Sequence, residues 1–178
     1  ISDSVEYKLS GLVKYEHSQA SETLLYDVAN RQWSPELCDV FGLDAGLLPP
    51  LVNAGTIIGP VIDPAFKNAV VVVGGGDTQL AIKSTQPAID DVVIVSGTTT
   101  PIVKLVDKYT LDEKQRTWTS RDIDPKRLVF EANVGVTGLN FQRLKEIFYP
   151  NEGYDVIEKE LVATKDHFCT ASLGSLIA

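Results

Sequence analysis

Ala69-Val70-Val71-Val72-Val73-Gly74-Gly75-Gly76-Asp77-Thr78-Gln79 joins an apolar run to a glycine turn that ends in a carboxylate. The run predicts a short strand that is covered on both faces of its sheet, and residues 77–83 predict a helix after it. Glycines permit close approach of a substrate to the backbone, so Asp77 is a candidate general base or metal-side carboxylate. The same position also fits a plain helix N-cap, and spacing alone leaves both interpretations open.

A second segment of the same kind follows in Val92-Val93-Ile94-Val95-Ser96-Gly97-Thr98-Thr99-Thr100. It predicts another buried strand that ends in a small turn rich in hydroxyl groups. Backbone N–H groups and threonine hydroxyls of such a turn can hold phosphate oxygens. The turn lacks the lysine of a P-loop, so an ordinary hairpin turn stays open as an alternative. An acid combined with a phosphate cradle points to phosphoryl transfer to a hydroxyl.

A third glycine pair, Gly135 and Gly138, precedes a predicted helix over residues 139–148. A nucleotide phosphate could lie near the N-terminus of that helix, where N–H groups are free and the helix dipole is positive. Taken in isolation, a plain N-terminal glycine turn is the favoured interpretation of the pair.

Composition excludes several classes of function. The chain has 178 residues, of which 44% are hydrophobic, so it can bury a substantial core. Its net charge of −8 argues against nucleic-acid binding, which rests on basic patches. No apolar run is long enough for a membrane span, and Cys38 and Cys169 form no CxxC or zinc pattern, which favours a reducing cytoplasm. Because methionine is absent and Ile1 comes first, we expect an internal piece of a longer protein.

The remaining segments alternate between helix and strand signals, as in an α/β protein. Ser34-Pro35-Glu36 predicts a helix start, with Leu37, Val40 and Phe41 on its apolar face. Residues 47–64 read as loop and residues 107–126 as a polar, variable segment. The other predicted elements are a helix over 3–9, strands over 23–27, 102–106 and 128–132, and a helix over 154–161. A domain boundary is expected between residues 84 and 91.

Read in order, these segments resemble the middle of the FGGY family of carbohydrate kinases, which includes glycerol, xylulose, ribulose and gluconate kinases. The motifs that carry the resemblance are Asp3-Ser4-Val5-Glu6-Tyr7-Lys8-Leu9-Ser10-Gly11, Ala20-Ser21-Glu22-Thr23-Leu24-Leu25-Tyr26-Asp27, Arg31-Gln32-Trp33, Leu48-Pro49-Pro50-Leu51, Gly74-Gly75-Gly76-Asp77-Thr78-Gln79 and Ser96-Gly97-Thr98-Thr99. Their joint order makes the signal specific, although each motif alone is weak.

The resemblance implies an actin-like (ribonuclease-H-like) α/β fold of two domains around a cleft. Residues 1–84 would be the second half of the N-terminal domain and residues 85–178 the first half of the C-terminal domain. It also implies ATP and Mg²⁺ as cofactors. The implied site residues are Asp77 as catalytic base and metal-side carboxylate, Thr78 at the substrate, Gly97 and Thr98 at the nucleotide phosphates, and Gly138 and Gln142 at a later nucleotide-contacting helix.

The expected partner is a small-molecule sugar or polyol, with a homo-oligomer as a further expectation and with nucleic acid and membranes excluded. Lys83-Ser84-Thr85 departs from the small glycine-rich segment that the family often has there. The family's first phosphate loop, Asp-x-Gly-Thr, does not occur in the sequence, so we expect the isolated chain to be inactive. A non-catalytic actin-like scaffold or sugar-binding regulator, and an ATPase of the same fold without a sugar acceptor, remain alternatives.

Overall fold

A computed structural model describes residues 2–164 of the chain. The helices are α1 (Ser2–Ser10), α2 (His17–Ala20), α3 (Pro35–Val40), α4 (Asp77–Ser84), α5 (Gly138–Phe148) and α6 (Tyr154–Ala163), with 3₁₀ turns at Ala45–Leu47 and Pro64–Phe66. The strands are β1 (Tyr15–Glu16), β2 (Tyr26–Asp27), β3 (Gln32–Trp33), β4 (Leu51–Val52), β5 (Ile57–Pro60), β6 (Val70–Val72), β7 (Val92–Ile94), β8 (Pro101–Val106), β9 (Trp118–Arg121) and β10 (Leu128–Asn133). Cys169 lies outside the described residues.

The chain divides into two compact units. The first contains the residues up to Val93 together with Val103–Ala132, and the second contains Ile94–Ile102 and the described residues from Asn133 onward. This division reflects packing among the elements of this chain. The predicted boundary between residues 84 and 91 therefore stays a prediction.

Strand β6, which leads to Asp77, is not covered on both faces as the apolar run suggested. It pairs antiparallel with β5 in a two-stranded sheet, and α1 packs against it. Val71 and Val73 are buried, whereas Val70 and Val72 are about half exposed. An antiparallel pair packed on one side has one solvated face, which explains this alternation.

Strand β7 is also more exposed than predicted. Val92 and Ile94 are 60% and 63% exposed, and β7 is the edge strand of a four-stranded sheet with the order β7-β8-β10-β9. The predicted hairpin partner is confirmed as β8, since Val95 N–H donates to Pro101 O at 2.9 Å. The polar segment 107–126 contains β9, which pairs antiparallel with β10. The segment 47–64 contains β4 and β5. None of these three strands was predicted.

The start of α3 is confirmed, but its predicted apolar face is wrong. Ser34 Oγ accepts the Leu37 N–H at 3.2 Å, with Pro35 at the first helical position. The buried side chain is Cys38, a free thiol, whereas Val40 and Phe41 are exposed. A helix of 6 residues has fewer than two turns, so its periodicity is too short to identify the buried face.

A cluster of aromatic rings holds the segments that follow α1. The rings of Tyr15 and Tyr26 both contact Trp33, and Trp33 Nε1 donates to Pro49 O at 2.7 Å. His17 contacts Tyr26 edge-on, with Nδ1 at 2.7 Å from the tyrosine hydroxyl. Burial lowers the pKa of His17 to about 4, helped by the positive charges of Arg31 and Arg121. Burial also raises the pKa of Tyr26 to about 12.

The neutral state of His17 makes the stability of the fold sensitive to acid. The unfolded chain has the ordinary histidine pKa of 6.5 and takes up a proton between pH 6.5 and 4, whereas the folded chain does not. We therefore expect the melting temperature to fall as the pH drops through this range. Buried carboxyls with raised pKa, such as Glu16, act in the opposite direction.

His17→Gln isolates the histidine contribution, because it removes the titration and leaves the carboxyls in place. Thermal unfolding of the chain and of this variant should show a smaller loss of stability for the variant between pH 6.5 and 4. Parallel profiles for the two proteins would contradict the assignment of a neutral, buried His17.

Candidate active site

The glycine turn after β6 presents the Asp77 carboxylate to solvent. Val73 is buried, residues 74–76 turn away from the strand, and Asp77 is the first residue of α4. The N-cap of α4 is Gly76, with φ −59° and ψ 139°, and no side chain caps the helix. The N-cap interpretation of Asp77 is therefore wrong. Its Oδ1 accepts the N–H of its neighbour Thr78 at 2.7 Å, and its side chain is exposed and accessible to a substrate.

The backbone of this turn is tied to the first part of the chain at two points. Gly74 N–H donates to Glu6 Oε1 at 3.1 Å, and Gly76 N–H donates to Ser18 Oγ at 2.9 Å. Between them, a Cβ on Gly75 would lie 2.6 Å from Ile123 Cγ2, which is closer than side-chain atoms pack. Glycine at position 75 therefore leaves room for the Ile123 side chain, whereas the predicted approach of a substrate to this backbone stays a prediction.

Two buried residues hold this turn through hydrogen bonds, Ser18 directly and Glu16 through Ser18. Neither of them was identified from the sequence. Glu16 and Ser18 are each 1% exposed. Glu16 Oε2 accepts the Ser18 hydroxyl at 2.5 Å and the Ser18 N–H at 2.7 Å. Glu16 also caps α2, because its carboxylate accepts the Ser18 and Gln19 N–H groups. Glutamate is not among the residue types favoured at N-caps, so the local sequence gives no signal for this role. Burial raises the pKa of Glu16, against the effect of these hydrogen bonds.

In the second unit, the turn after β7 packs against the N-terminus of α5. A Cβ on Gly138 would lie 2.1 Å from Gly97 O and 3.5 Å from Thr98 Cα, so only glycine permits this contact. The hydroxyls of Thr100 and Thr137 are hydrogen-bonded, and Thr100 N–H donates to Gly135 O at 3.1 Å. The structure thus brings together three of the residues predicted to contact the nucleotide.

This second arrangement is suited to anionic oxygens. Thr98 is exposed, and α5 is a helix of 11 residues whose first turn has no side-chain cap. Uncapped N–H groups and a positive helix end attract phosphate. Gln142 lies one turn further along α5, exposed, with its Nε2 donating to Glu146 Oε1 at 2.9 Å. A bound nucleotide would have to compete with that local hydrogen bond.

Among residues 2–164, no group of three or more His, Cys, Asp or Glu side chains could hold a metal ion by itself. Mg²⁺ commonly uses only one or two carboxylates together with water and substrate phosphates. The exposed Asp77 carboxylate fits that mode of binding, and its role toward Mg²⁺ stays a prediction. Within the same part of the chain, no helix combines the length and apolar character that a bilayer span needs.

Comparison with known proteins places these motifs in a family. The N-terminal domain of the FGGY family of carbohydrate kinases matches residues 1–83. The "Putative sugar kinase YoaC" of Bacillus subtilis (strain 168) is 50% identical over 100% of the chain, which spans 38% of that protein. The autoinducer-2 kinase of Escherichia coli (strain K12) is 30% identical over 85% of the chain, and the match spans 30% of that protein.

Solved structures show the same fold at low sequence identity. Xylulose kinase from Lactobacillus acidophilus superposes with a TM-score of 0.78 at 16% identity, covering 92% of this chain and 35% of that one. Plasmodium falciparum glycerol kinase with ADP superposes with a TM-score of 0.74 at 20% identity, covering 88% of this chain and 34% of that one. The expected actin-like α/β fold is confirmed, for the part of it that this chain spans. The chain belongs to the FGGY family of carbohydrate kinases.

Proposed function

We propose that this chain forms part of an ATP-dependent carbohydrate kinase in which Asp77 is the general base. The observation that carries the proposal is the exposed Asp77 carboxylate on a glycine turn that is tied down at Gly74 and Gly76. A general base must be accessible to the acceptor hydroxyl and hold its position, and the exposure of Asp77 and the two hydrogen bonds to its turn support that role.

In the proposed reaction, the Asp77 carboxylate accepts the proton of a sugar or polyol hydroxyl as that oxygen bonds to the γ-phosphorus of ATP. The bond from the γ-phosphorus to the bridging oxygen breaks, and ADP leaves. Thr78 lies next to the base and would contact the acceptor. Mg²⁺, when bound, would neutralise charge on the phosphate oxygens. Most of the catalysis in such a transfer is positioning and charge stabilisation.

The nucleotide phosphates are assigned to the second unit. Gly97 and Thr98 would supply an amide and a hydroxyl, and the N-terminus of α5 at Gly138 a positive helix end. Gln142 would contact the nucleotide from the next turn of α5. We propose that residues 1–84 belong to the N-terminal kinase domain and residues 85–178 to the C-terminal one, in a protein of the cytoplasm.

The acceptor is proposed only as a class, a small polyhydroxylated molecule. The relatives differ in what their names state they phosphorylate, including xylulose, gluconate, glycerol and autoinducer-2. A panel of polyols, ketoses, aldonates and autoinducer-2 therefore covers the candidates. Because the chain spans 38% of the Bacillus subtilis relative, assays require either the complete protein or that relative with residues 1–178 exchanged in. We expect the isolated 178-residue chain to be inactive and to serve as the blank.

Asp77→Asn should abolish most of the acceptor-dependent turnover. The amide keeps the shape of the side chain but cannot take the proton, so we expect kcat to fall by roughly 10²- to 10⁴-fold. ATP affinity should change little. Coupled measurement of ADP release across the acceptor panel checks this.

Asp63→Asn is the matched control, because Asp63 is another exposed acid whose Oδ1 accepts a nearby backbone N–H at 2.8 Å. It should retain full turnover. Near-complete turnover by Asp77→Asn would refute the general base.

Thr98→Val should weaken nucleotide binding more than sugar binding. The substitution keeps the shape of the side chain but removes the hydroxyl, and a hydrogen bond to a charged group contributes about 1.5–3 kcal/mol. That range corresponds to roughly a 10- to 150-fold higher Kd for ATP, measured by isothermal titration. Thr110→Val removes the hydroxyl of an exposed threonine that donates to the nearby Lys108 O at 3.3 Å, and should leave both affinities unchanged. A loss of sugar affinity alone would show that Thr98 does not face the phosphates.

A further inference from the structure

We infer that Ser18 and Glu16 form a positioning relay that holds the Asp77 turn in its working geometry. The inference rests on the proposed role of Asp77. The relay runs from the Gly76 N–H to Ser18 Oγ at 2.9 Å, and from the Ser18 hydroxyl to Glu16 Oε2. Both relay side chains are buried and neither touches solvent, so neither would contact the acceptor itself.

The direction of each hydrogen bond in the relay is fixed by chemistry. A serine hydroxyl has one proton to donate, and Gly76 N–H can only donate. Ser18 must therefore accept from Gly76 and donate to a strong acceptor, which the Glu16 carboxylate provides. Glu16 Oε2 is itself held by the N–H groups of Ser18 and Gln19, at 2.7 and 3.2 Å. The carboxylate thus orients the hydroxyl, and the hydroxyl orients the glycine turn.

The relay bears on function because it ends at Gly76, the residue before Asp77. Gly76 is the N-cap of α4 and directly precedes Asp77, so a shift of its N–H moves the start of the helix and the carboxylate with it. Glycine at 74, 75 and 76 leaves the turn with little stiffness of its own. Misplacement of a catalytic group by about 1 Å can lower the rate by about 10²-fold.

The test uses Ser18→Ala in the complete kinase, which removes the hydroxyl and leaves the Gly76 N–H without this partner. We expect kcat to fall by roughly 10- to 100-fold. The KM values for sugar and ATP should change by less than about threefold, since neither ligand is touched. Thr23→Val is the matched control: Thr23 Oγ1 also donates one hydrogen bond and accepts another, to Ala20 O and from Leu25 N, but has no bond to the turn. It should keep full kcat.

A double mutant separates positioning from general destabilisation. If Ser18 acts through Asp77, adding Ser18→Ala to Asp77→Asn should lower the residual turnover by less than about twofold. A full additional loss in the Asp77→Asn background would show that Ser18 acts independently of Asp77, and would overturn the relay. Wild-type kcat in a folded Ser18→Ala protein would overturn it as well.

Two further results keep this inference distinct from the proposed function. If Asp77→Asn is inactive while Ser18→Ala is fully active, only the relay is wrong; if Asp77→Asn is active, the general base itself is wrong.

Should Ser18→Ala fail to fold by circular dichroism, Glu16→Gln takes its place, because it keeps the size of the side chain and one acceptor oxygen. A neutral acceptor holds the hydroxyl less strongly than a carboxylate, so kcat should fall about 3- to 10-fold. An unchanged kcat in Glu16→Gln would contradict the relay.

Discussion

The hydrogen bond from Gly76 N–H to Ser18 Oγ connects residues that are 58 positions apart, and the geometry around Asp77 depends on it. Three consecutive glycines cannot hold a defined path by themselves, because glycine has the widest conformational freedom of any residue. The turn is defined instead by what surrounds it: the Ser18 hydroxyl at Gly76, the Glu6 carboxylate at Gly74, and the Ile123 side chain against Gly75. The half-buried Gly76 N–H has Ser18 Oγ as its partner.

In the second unit, the turn after β7 is also held in place by contacts with residues distant in sequence. Gly97 and Gly138 approach so closely that no Cβ fits between them, and paired threonine hydroxyls at positions 100 and 137 close the turn behind them. In both units a turn held by contacts with residues distant in sequence carries an exposed polar side chain, Asp77 in one and Thr98 in the other. Functional groups held on rigid elements keep their geometry better than groups on loose loops.

Local sequence signals predicted the elements on which the candidate site is built. Helices α4 and α5 and the hairpin of β7 with β8 follow directly from periodicity and glycine placement. Burial was harder to predict. The valines of β6 and β7 are apolar whether a sheet is covered on one face or on two, so the run 69–73 could not reveal that Val70 and Val72 face solvent. That information lies in the pairing partners, which are distant in sequence.

The same limitation hid Ser18 and Glu16. Each is an ordinary polar residue in its local context, and its importance comes from a contact with a turn far along the chain. The position of Asp77 beside a helix start suggested an N-cap. In the structure Gly76 is the N-cap, and the Asp77 carboxylate is exposed and accepts only the N–H and hydroxyl of the adjacent Thr78 among the hydrogen bonds described. Motif order identified the family, and the three-dimensional contacts identify which groups hold the motif in place.

In the proposed kinase, Asp77 faces the acceptor hydroxyl. The most direct measurement is a crystal structure of the complete kinase with its sugar and a non-hydrolysable ATP analogue bound. We predict that an Asp77 carboxylate oxygen lies about 2.6–3.2 Å from the acceptor hydroxyl, which in turn points at the γ-phosphorus. An acceptor hydroxyl bound in line with the γ-phosphorus but held by a different base, with Asp77 out of reach, would contradict the account.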